Sequence, residues 1–341
     1  MNAEPAGAEP AGVQPFSVRR MTPEDKPVIL SIASRIWEGT DYLPAVFDDW
    51  VADRQGEFAA ALLGGRVVGC GKLTFLTETD AWLEGLRKDP RVSERGLGLA
   101  VVEHLLALLA ARKDLTSVRF ATYVKNRASI VTNERAGFRV RTVLSVKAWE
   151  GSRVELLGRV SRERAARLPS RRGAVVTLRD ERAIRDFLER HRYFEATQGL
   201  IVEGWRAFPW SASRFLQRYA AAGACRGIHG PGRLEGLAAW TIARRPGRTA
   251  ARLVCLDADG EDAAGALLDE VFRDLAESSA GAPEGSTTCE VEWMVPPGER
   301  FRQWAAGSGL ASWEQEDDFL VFELPLGELA RRAGAGEGGR G

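Results

Sequence analysis

The sequence has 341 residues, 45% of them hydrophobic, with 47 Lys plus Arg balancing 47 Asp plus Glu. That length suits about two domains, and the even charge gives no basic face for nucleic acid or an anionic membrane. No apolar run approaches the ~20 residues of a bilayer span, so neither membrane nor nucleic acid is an expected partner.

Residues 1–15 are read as a loose Ala/Pro/Gly leader, since a basic start followed by an apolar core is missing. Phe16 to Arg20 alternates like a strand. Thr22 caps a helix with Pro23 in its first turn, running to about Trp37. A polar, aromatic loop from Glu38 to Pro44 precedes a second short helix around Phe47 to Ala52. Trp37, Asp41 and Tyr42 in this region are candidate substrate contacts, because loops between early helices carry function. A connector with a packed Tyr would look the same. Strands at Phe58–Leu63 and Val67–Thr77 flank a Gly64-Gly65 hairpin turn, and Thr79 to Leu86 makes a third.

The stretch from Trp82 to Ala111 organises the rest. A strand empties through Lys88-Asp89-Pro90 and Gly96-Leu97-Gly98 into a long apolar helix, Leu99 to Ala111. Unpaired N–H groups at the positive end of a helix make a phosphate site, and glycines let the backbone approach the anion. A tight strand-to-helix connection could give the same local pattern. A dinucleotide fingerprint would need a third glycine where Val101 stands, and the G-K-[ST] of a P-loop is missing. A strand Ser117–Tyr123 follows, then Asn126-Arg127-Ala128-Ser129, helix Ile130–Ala136, Gly137-Phe138 and strand Arg141–Trp149.

The order β-α-α-β-β-β-turn-α-β-α-β, with Leu86 to Gly98 and Asn126-x-x-Ser129…Gly137-Phe138, resembles the GNAT N-acetyltransferases over roughly Phe16 to Glu150. The resemblance implies acetyl-CoA as co-substrate and no metal. Leu86, Arg87 and Lys88 would line its pantetheine arm. The amides of Glu94, Arg95, Gly96, Leu97, Gly98 and Leu99 would hold its pyrophosphate, with Arg91 and Arg95 adding charge unless they are plain solvated residues. Asn126, Ser129 and Asn133 complete the implied cofactor set. Ser93 stands where Arg or Gln is usual, and Asn133 where a proton-donating Tyr is common.

A lysine-like amine costs roughly 4–5 kcal/mol to deprotonate at pH 7, a peptide α-amine about 1. A placed carboxylate lowers that barrier. Glu84, interrupting an apolar strand, is the candidate base, or it orients the ammonium, or it simply faces solvent. Tyr123 is the fallback acid, although a strand-end tyrosine also suits a core.

Gly151 to Arg172 reads as a linker containing a basic helix and a turn at Leu168-Pro169-Ser170. Beyond it the first pattern recurs faintly: strands near Ala174–Leu178, Gly199–Glu203, Leu234–Ala243, Thr249–Leu256, Thr287–Val295 and Phe319–Leu324, with helices at Asp180–Arg190, Ser213–Ala222, Ala263–Leu275 and Glu299–Ala306. Where the phosphate turn should fall stands Asp257-Ala-Asp-Gly-Glu-Asp262, whose carboxylates would repel a pyrophosphate. The expected architecture is α/β with a mixed sheet. It comprises an N-terminal acetyl-CoA-binding domain (16–150), a linker (151–172), a degenerate GNAT-like copy that binds no CoA (173–326) and a loose tail (327–341).

The doubling, with Tyr42-Leu43-Pro44 and Leu83 to Arg87, is similar to the histidine N-acetyltransferase group. That resemblance implies a small-molecule amine acceptor, a free amino acid or a relative. A protein or peptide acetyltransferase and a non-catalytic acetyl-CoA sensor are the alternatives. His104, His191 and His229 are not spaced for a metal, and six tryptophans of the second half are read mostly as packing, with a wall of the substrate pocket as the alternative for one of them. Cys70, Cys225, Cys255 and Cys289 lack a C-x-x-C, which fits reduced thiols in the cytoplasm.

Overall fold

The computed structural model describes residues 16–110, 112–166, 174–245, 247–280 and 287–327. The leader, the turn at Leu168-Pro169-Ser170 and residues 328–341 of the tail lie outside the described residues. No described helix is long and apolar enough to cross a membrane. The fold is mixed α/β. Residues 16–120, 127–139 and 323–327 form one compact unit, and 121–126 with 140–322 form the other.

The first unit begins with β1 (Phe16–Arg20) and α1 (Lys26–Ala33). Thr22 and Asp25 cap each other before α1, and Arg19 grips Asp25 through two hydrogen bonds of 2.7 and 2.8 Å. Next come α2 (Leu43–Ala52), β2 (Glu57–Leu63), β3 (Arg66–Phe75), β4 (Asp80–Lys88), α3 (Leu97–Ala110), β5 (Ser117–Tyr123) and α4 (Arg127–Arg135). Strands β1 to β4 pair antiparallel in sequence order, and β5 joins β4 in parallel. Ile29, Ile32, Leu43, Phe47, Trp50 and Phe58 bury one face. Each such side chain contributes roughly 1.5–3 kcal/mol by leaving water. On the other face α3 lies close because Gly69 and Gly71 of β3 carry no Cβ. A Cβ there would come within 2.9 Å of Leu97 and 2.6 Å of Val101.

The second unit takes in β6 (Arg139–Ser152), α5 (Arg153–Ala166), β7 (Val175–Thr177), α6 (Glu181–His191) and α7 (Tyr193–Ala196). The hairpin β8 (Leu200–Glu203) and β9 (Arg206–Pro209) follows, then α8 (Ala212–Phe215), β10 (Cys225–Gly230), β11 (Arg233–Arg245) and β12 (Arg248–Ala258). The unit closes with α9 (Glu261–Ser278), β13 (Thr288–Val295), α10 (Glu299–Gly307), β14 (Ala311–Ser312) and the first four residues of β15 (Phe319–Pro325), whose residues 323–325 belong to the first unit. Its pairings run β7–β10–β11–β12 antiparallel, then β12–β13 parallel, the same sequence of senses as β1 to β5. Helix α9 buries Ala263, Leu267, Leu268, Val271, Phe272 and Leu275 at helical spacing.

The basic helix expected within 151–172 is α5, Arg153–Ala166, with Arg159 packed over the Phe272 ring of α9 at 3.7 Å, whereas the first helix, expected to run to about Trp37, ends at Ala33. The helix expected at Ser213–Ala222 is α8 followed by a π-helical turn, Leu216–Ala220. Strands β9 and β10 have no counterpart in the sequence reading, because both are short and rich in Arg, Gly or Pro.

Candidate active site

Strand β4 pairs with β5 over only three residues, Asp80↔Ser117 to Trp82↔Arg119. Arg119 anchors this stem by donating to Asp80 at 2.8 Å and pairing with Glu323 at 2.5 Å. Beyond Trp82 the described strands part, so the edge of β4 from Leu83 to Lys88 that would face β5 has no ladder there. On its other edge β4 stays on β3, with one extra residue inserted between Glu84↔Lys72 and Arg87↔Cys70. Gly85, at φ +66°, makes this bulge possible. A Cβ on it would also sit 2.5 Å from the Trp50 ring. Since side chains alternate along a strand, one extra residue flips the facing of every later position. Leu86 therefore turns towards α3, 3.5 Å from a Cβ built on Gly98, while Arg87 shares a face with Glu84.

On that face Glu84 is half-buried and accepts a 2.7 Å hydrogen bond from Thr74 Oγ1. Lys72, opposite it and 1% exposed, pairs with Asp53 at 2.5 Å, and burial pushes its pKa down. Arg87 donates to both oxygens of Asp41, at 2.8 and 3.2 Å, and Asp41 is buried. The same guanidinium lies 4.3 Å from the Trp37 ring and 5.3 Å from that of Tyr42. Trp37, Glu38 and Gly39 all have left-handed backbones, φ 46°, 56° and 85°, a strained turn that delivers Trp37 to Arg87. Burial pushes the Tyr42 hydroxyl up to about 12, so it keeps its proton at neutral pH. Trp37, Asp41, Tyr42 and Arg87 thus form one cluster. Within it the Asp41 carboxylate is engaged by Arg87, which ties the loop to β4.

The glycine turn is stiff at its entrance. Arg91 folds back on Asp89 at 2.7 Å, and those hydrogen bonds hold the Asp89 carboxyl below the usual range. Lys88 Nζ donates to the Glu94 carbonyl at 2.8 Å. Glu94, Arg95 and Gly96 are exposed, and Gly96 turns into the helix at φ +98°. Its carbonyl accepts the first helical bond, from Ala100 N, at 3.0 Å. The N–H groups of Leu97, Gly98 and Leu99 precede that bond, as in any first turn. No acid stands in this first turn.

Helix α4 begins at Arg127, so Asn126 sits just ahead of it and donates to Thr122 at 3.1 Å. Ser129 and Asn133 are joined inside α4, Asn133 Nδ2 donating to the Ser129 carbonyl at 2.9 Å, and Asn133 is buried. Tyr123, at the end of β5, donates its hydroxyl to Glu314 at 2.6 Å. Burial and that carboxylate push its pKa up.

Compared with known proteins, residues 26–138 match the acetyltransferase (GNAT) family. That match spans about a third of the chain. The fold as a whole is similar to a GCN5-related N-acetyltransferase from Sphaerobacter thermophilus, at 16% identity and a TM-score of 0.56, covering 92% of this chain and 96% of that one. A proposed acetyltransferase from Thermoplasma acidophilum is similar at 14% identity and a TM-score of 0.50, over 92% and 94% of the two chains. At such identities the likeness concerns the fold. A search of curated proteins finds no match to this sequence.

The acetyltransferase family uses acetyl-CoA as co-substrate, and the residues present fit that group. The exposed glycine turn leaves room for a diphosphate, the first-turn amides can donate to it, and the edge of β4 beyond its ladder with β5 can take an extended amide chain. Sequence reasoning missed the bulge itself. A glycine inside a strand was its only signal, directly after a carboxylate whose face the bulge shares with Arg87.

Proposed function

We propose that the domain transfers the acetyl group of acetyl-CoA to the amine of a small molecule, a free amino acid such as histidine or a related amine, by direct attack in a ternary complex. The single observation that carries this reading is the opened edge of β4, which bears Glu84 and runs into an acid-free helix N-terminus. Leu86, Arg87 and Lys88 offer backbone N–H and C=O groups to the pantetheine arm. The amides from Glu94 to Leu99 hold the pyrophosphate, with Arg95 alongside. Asn126, Ser129 and Asn133 shape the start of α4 beside it, and Trp37 and Tyr42 wall the acceptor side on a loop that Asp41 fastens. When bound, acetyl-CoA supplies a thioester that is already activated towards amines.

Glu84 takes the proton that the acceptor amine must lose, directly or through water. The Thr74 hydroxyl fixes one of its oxygens. Tyr123, the fallback acid, already gives its hydroxyl to Glu314 within the second unit, and a CoA thiolate is acidic enough to leave without it. Cys70 is no nucleophile: burial pushes its thiol up to about 12, and the thiol donates to the Gly85 carbonyl. That favours direct transfer over an acyl-cysteine. The repeated pairing order of β7 to β13 supports a second GNAT-like half over 173–326 that binds no CoA, beside an acetyltransferase half over 16–150. The four buried free cysteines agree with a cytoplasmic protein.

The test is release of CoA thiol from acetyl-CoA against a panel of free amino acids, diamines and an N-terminal peptide. Turnover is expected with free amines, and Glu84→Gln should lower kcat/KM about 10²-fold or more at neutral pH. Turnover with the peptide alone would replace the small-molecule acceptor. Full kcat/KM in Glu84→Gln would remove the base.

A further inference from the structure

The second unit holds an aromatic patch that the chemistry above leaves unused. Trp313 and Trp205 are 58% and 37% exposed. Trp205 rides the tip of the β8–β9 hairpin, where Gly204 at φ +55° makes the tight turn, and it rests on Phe319 at 5.1 Å. Trp313 follows β14, and its ring lies 5.9 Å from Trp205 and 5.6 Å from Tyr123. Two large indoles in contact yet open to water are unusual on a protein surface and mark a place where something binds.

What sits beside them indicates the chemistry. Glu314 accepts the Tyr123 hydroxyl and pairs with Lys125, whose ammonium also lies 5.9 Å from the Tyr123 ring centroid. An ammonium therefore already lodges between a carboxylate and an aromatic ring. Lys125 and Glu314 are 59% and 46% exposed, so solvent screens their pair and little holds the lysine in place. The Lys125 and Tyr123 hydrogen bonds keep the Glu314 carboxyl below the usual range, so it is charged at neutral pH. The segment bearing Trp313 and Glu314 is pinned at its far end. Lys147 pairs with Glu316, Arg302 holds Asp317 at 3.1 Å, and the Asp317 N–H donates to Ser145 at 2.9 Å. The carboxylate and the indole are preset.

We infer that Glu314, Tyr123, Trp313 and Trp205 form a subsite for an organic ammonium with an apolar or aromatic body, in which Lys125 is the resident occupant that an incoming ligand displaces. This binding does not rest on the acetyl-transfer reading. Carboxylate and ring faces both select a cation over a neutral molecule of the same shape.

The experiment is a titration of intrinsic tryptophan fluorescence of the full chain, without acetyl-CoA, using benzylamine and its neutral isostere benzyl alcohol at pH 7.5. Benzylamine should give a saturable change that Trp313→Phe abolishes. Benzyl alcohol should bind about tenfold more weakly or worse. Glu314→Gln should weaken benzylamine about fivefold, and Lys125→Met should tighten it about threefold by vacating the position. Both substitutions lie at exposed side chains, so folding is not at stake. Equal binding of the alcohol, no saturable change, or a constant indifferent to both Glu314→Gln and Lys125→Met would each overturn the inference. Benzylamine binding without thiol release for any amine would leave the subsite standing and overturn acetyl transfer.

Discussion

Each unit opens its sheet at a bulge beside a parallel strand, and the two openings are furnished differently. In the first unit the β4–β5 ladder stops at Trp82↔Arg119, just before the Gly85 bulge. In the second, β12–β13 stops at Leu253↔Trp293, where β12 carries its own extra residue, Val254, against β11. There Tyr193, 1% exposed, fills the space. Its hydroxyl accepts from Trp293 Nε1 at 3.3 Å and has a hydrogen bond from the Leu256 backbone. The helix ends differ as well. The N-terminus of α3 presents exposed glycine, whereas that of α9 follows a buried Asp257 held by Arg300 at 2.9 Å, and Asp259 meets His191 and Arg233 at 3.1 and 3.0 Å. One topology is thus compatible with an open anion site and with a self-neutralised end. A handful of side chains decides which.

The comparison breaks most directly at the plug. Tyr193→Ala should destabilise the chain by about 3–5 kcal/mol, read from chemical denaturation, because it leaves a large cavity. Calorimetry should find one CoA per chain in wild type and variant alike. A second CoA in either would mean that the acids of α9 do not exclude the diphosphate.

Two buried acids sharpen the contrast through pH. Burial pushes Glu292 of β13 up to about 7, above its ordinary value of 4.5, so the folded form binds its proton more tightly than the unfolded chain. Its penalty is absent below the ordinary value and grows as pH rises to about 7. Glu292→Gln should raise stability at pH 8, by at most about 3 kcal/mol, and change little at pH 4. Asp80 has the opposite sign. Burial raises its pKa, but hydrogen bonds from Arg119 and Thr77 outweigh this and leave it lowered. The stability it contributes is present above the unfolded value of about 3.9 and is lost as pH falls below it. Asp80→Asn should therefore flatten the acid limb of the same melting profile.

A smaller effect is expected from copying the second unit's chemistry onto the first. Gly98→Asp places a carboxylate in the first turn of α3 and should weaken CoA about 30-fold in calorimetry, with the melting temperature nearly unchanged. Unchanged affinity would show that the amides do not hold the diphosphate.

Much of the first unit was legible in the sequence, because its signals are local. Thr22-Pro23 caps, Gly64-Gly65 turns, and Gly96-Leu97-Gly98 opens a helix whose apolar residues can be read off the chain. What escaped was long-range. The loop acid Asp41 gave no sign that it would be taken by Arg87, 46 residues on. Nor could Tyr123 show that its hydroxyl would meet Glu314, 191 residues away. The role of Tyr193 was equally hidden, since a tyrosine after a helix carries no mark of the cavity it will fill. Trp205 and Trp313 were read as packing, yet both are open to solvent, because composition does not tell a core indole from a surface one.

The anchoring of Arg119 has a consequence for biosynthesis. Its partner Glu323 lies 204 residues downstream, and Leu326 N donates to the Thr116 carbonyl at 2.9 Å in the same unit. A ribosome that has made every residue proposed to cradle acetyl-CoA has therefore not yet made the strand that braces them. Chains terminated before β15 would carry every residue proposed to hold the nucleotide and lack that support. Translation through β15 is what this architecture demands before the brace of the first unit can form.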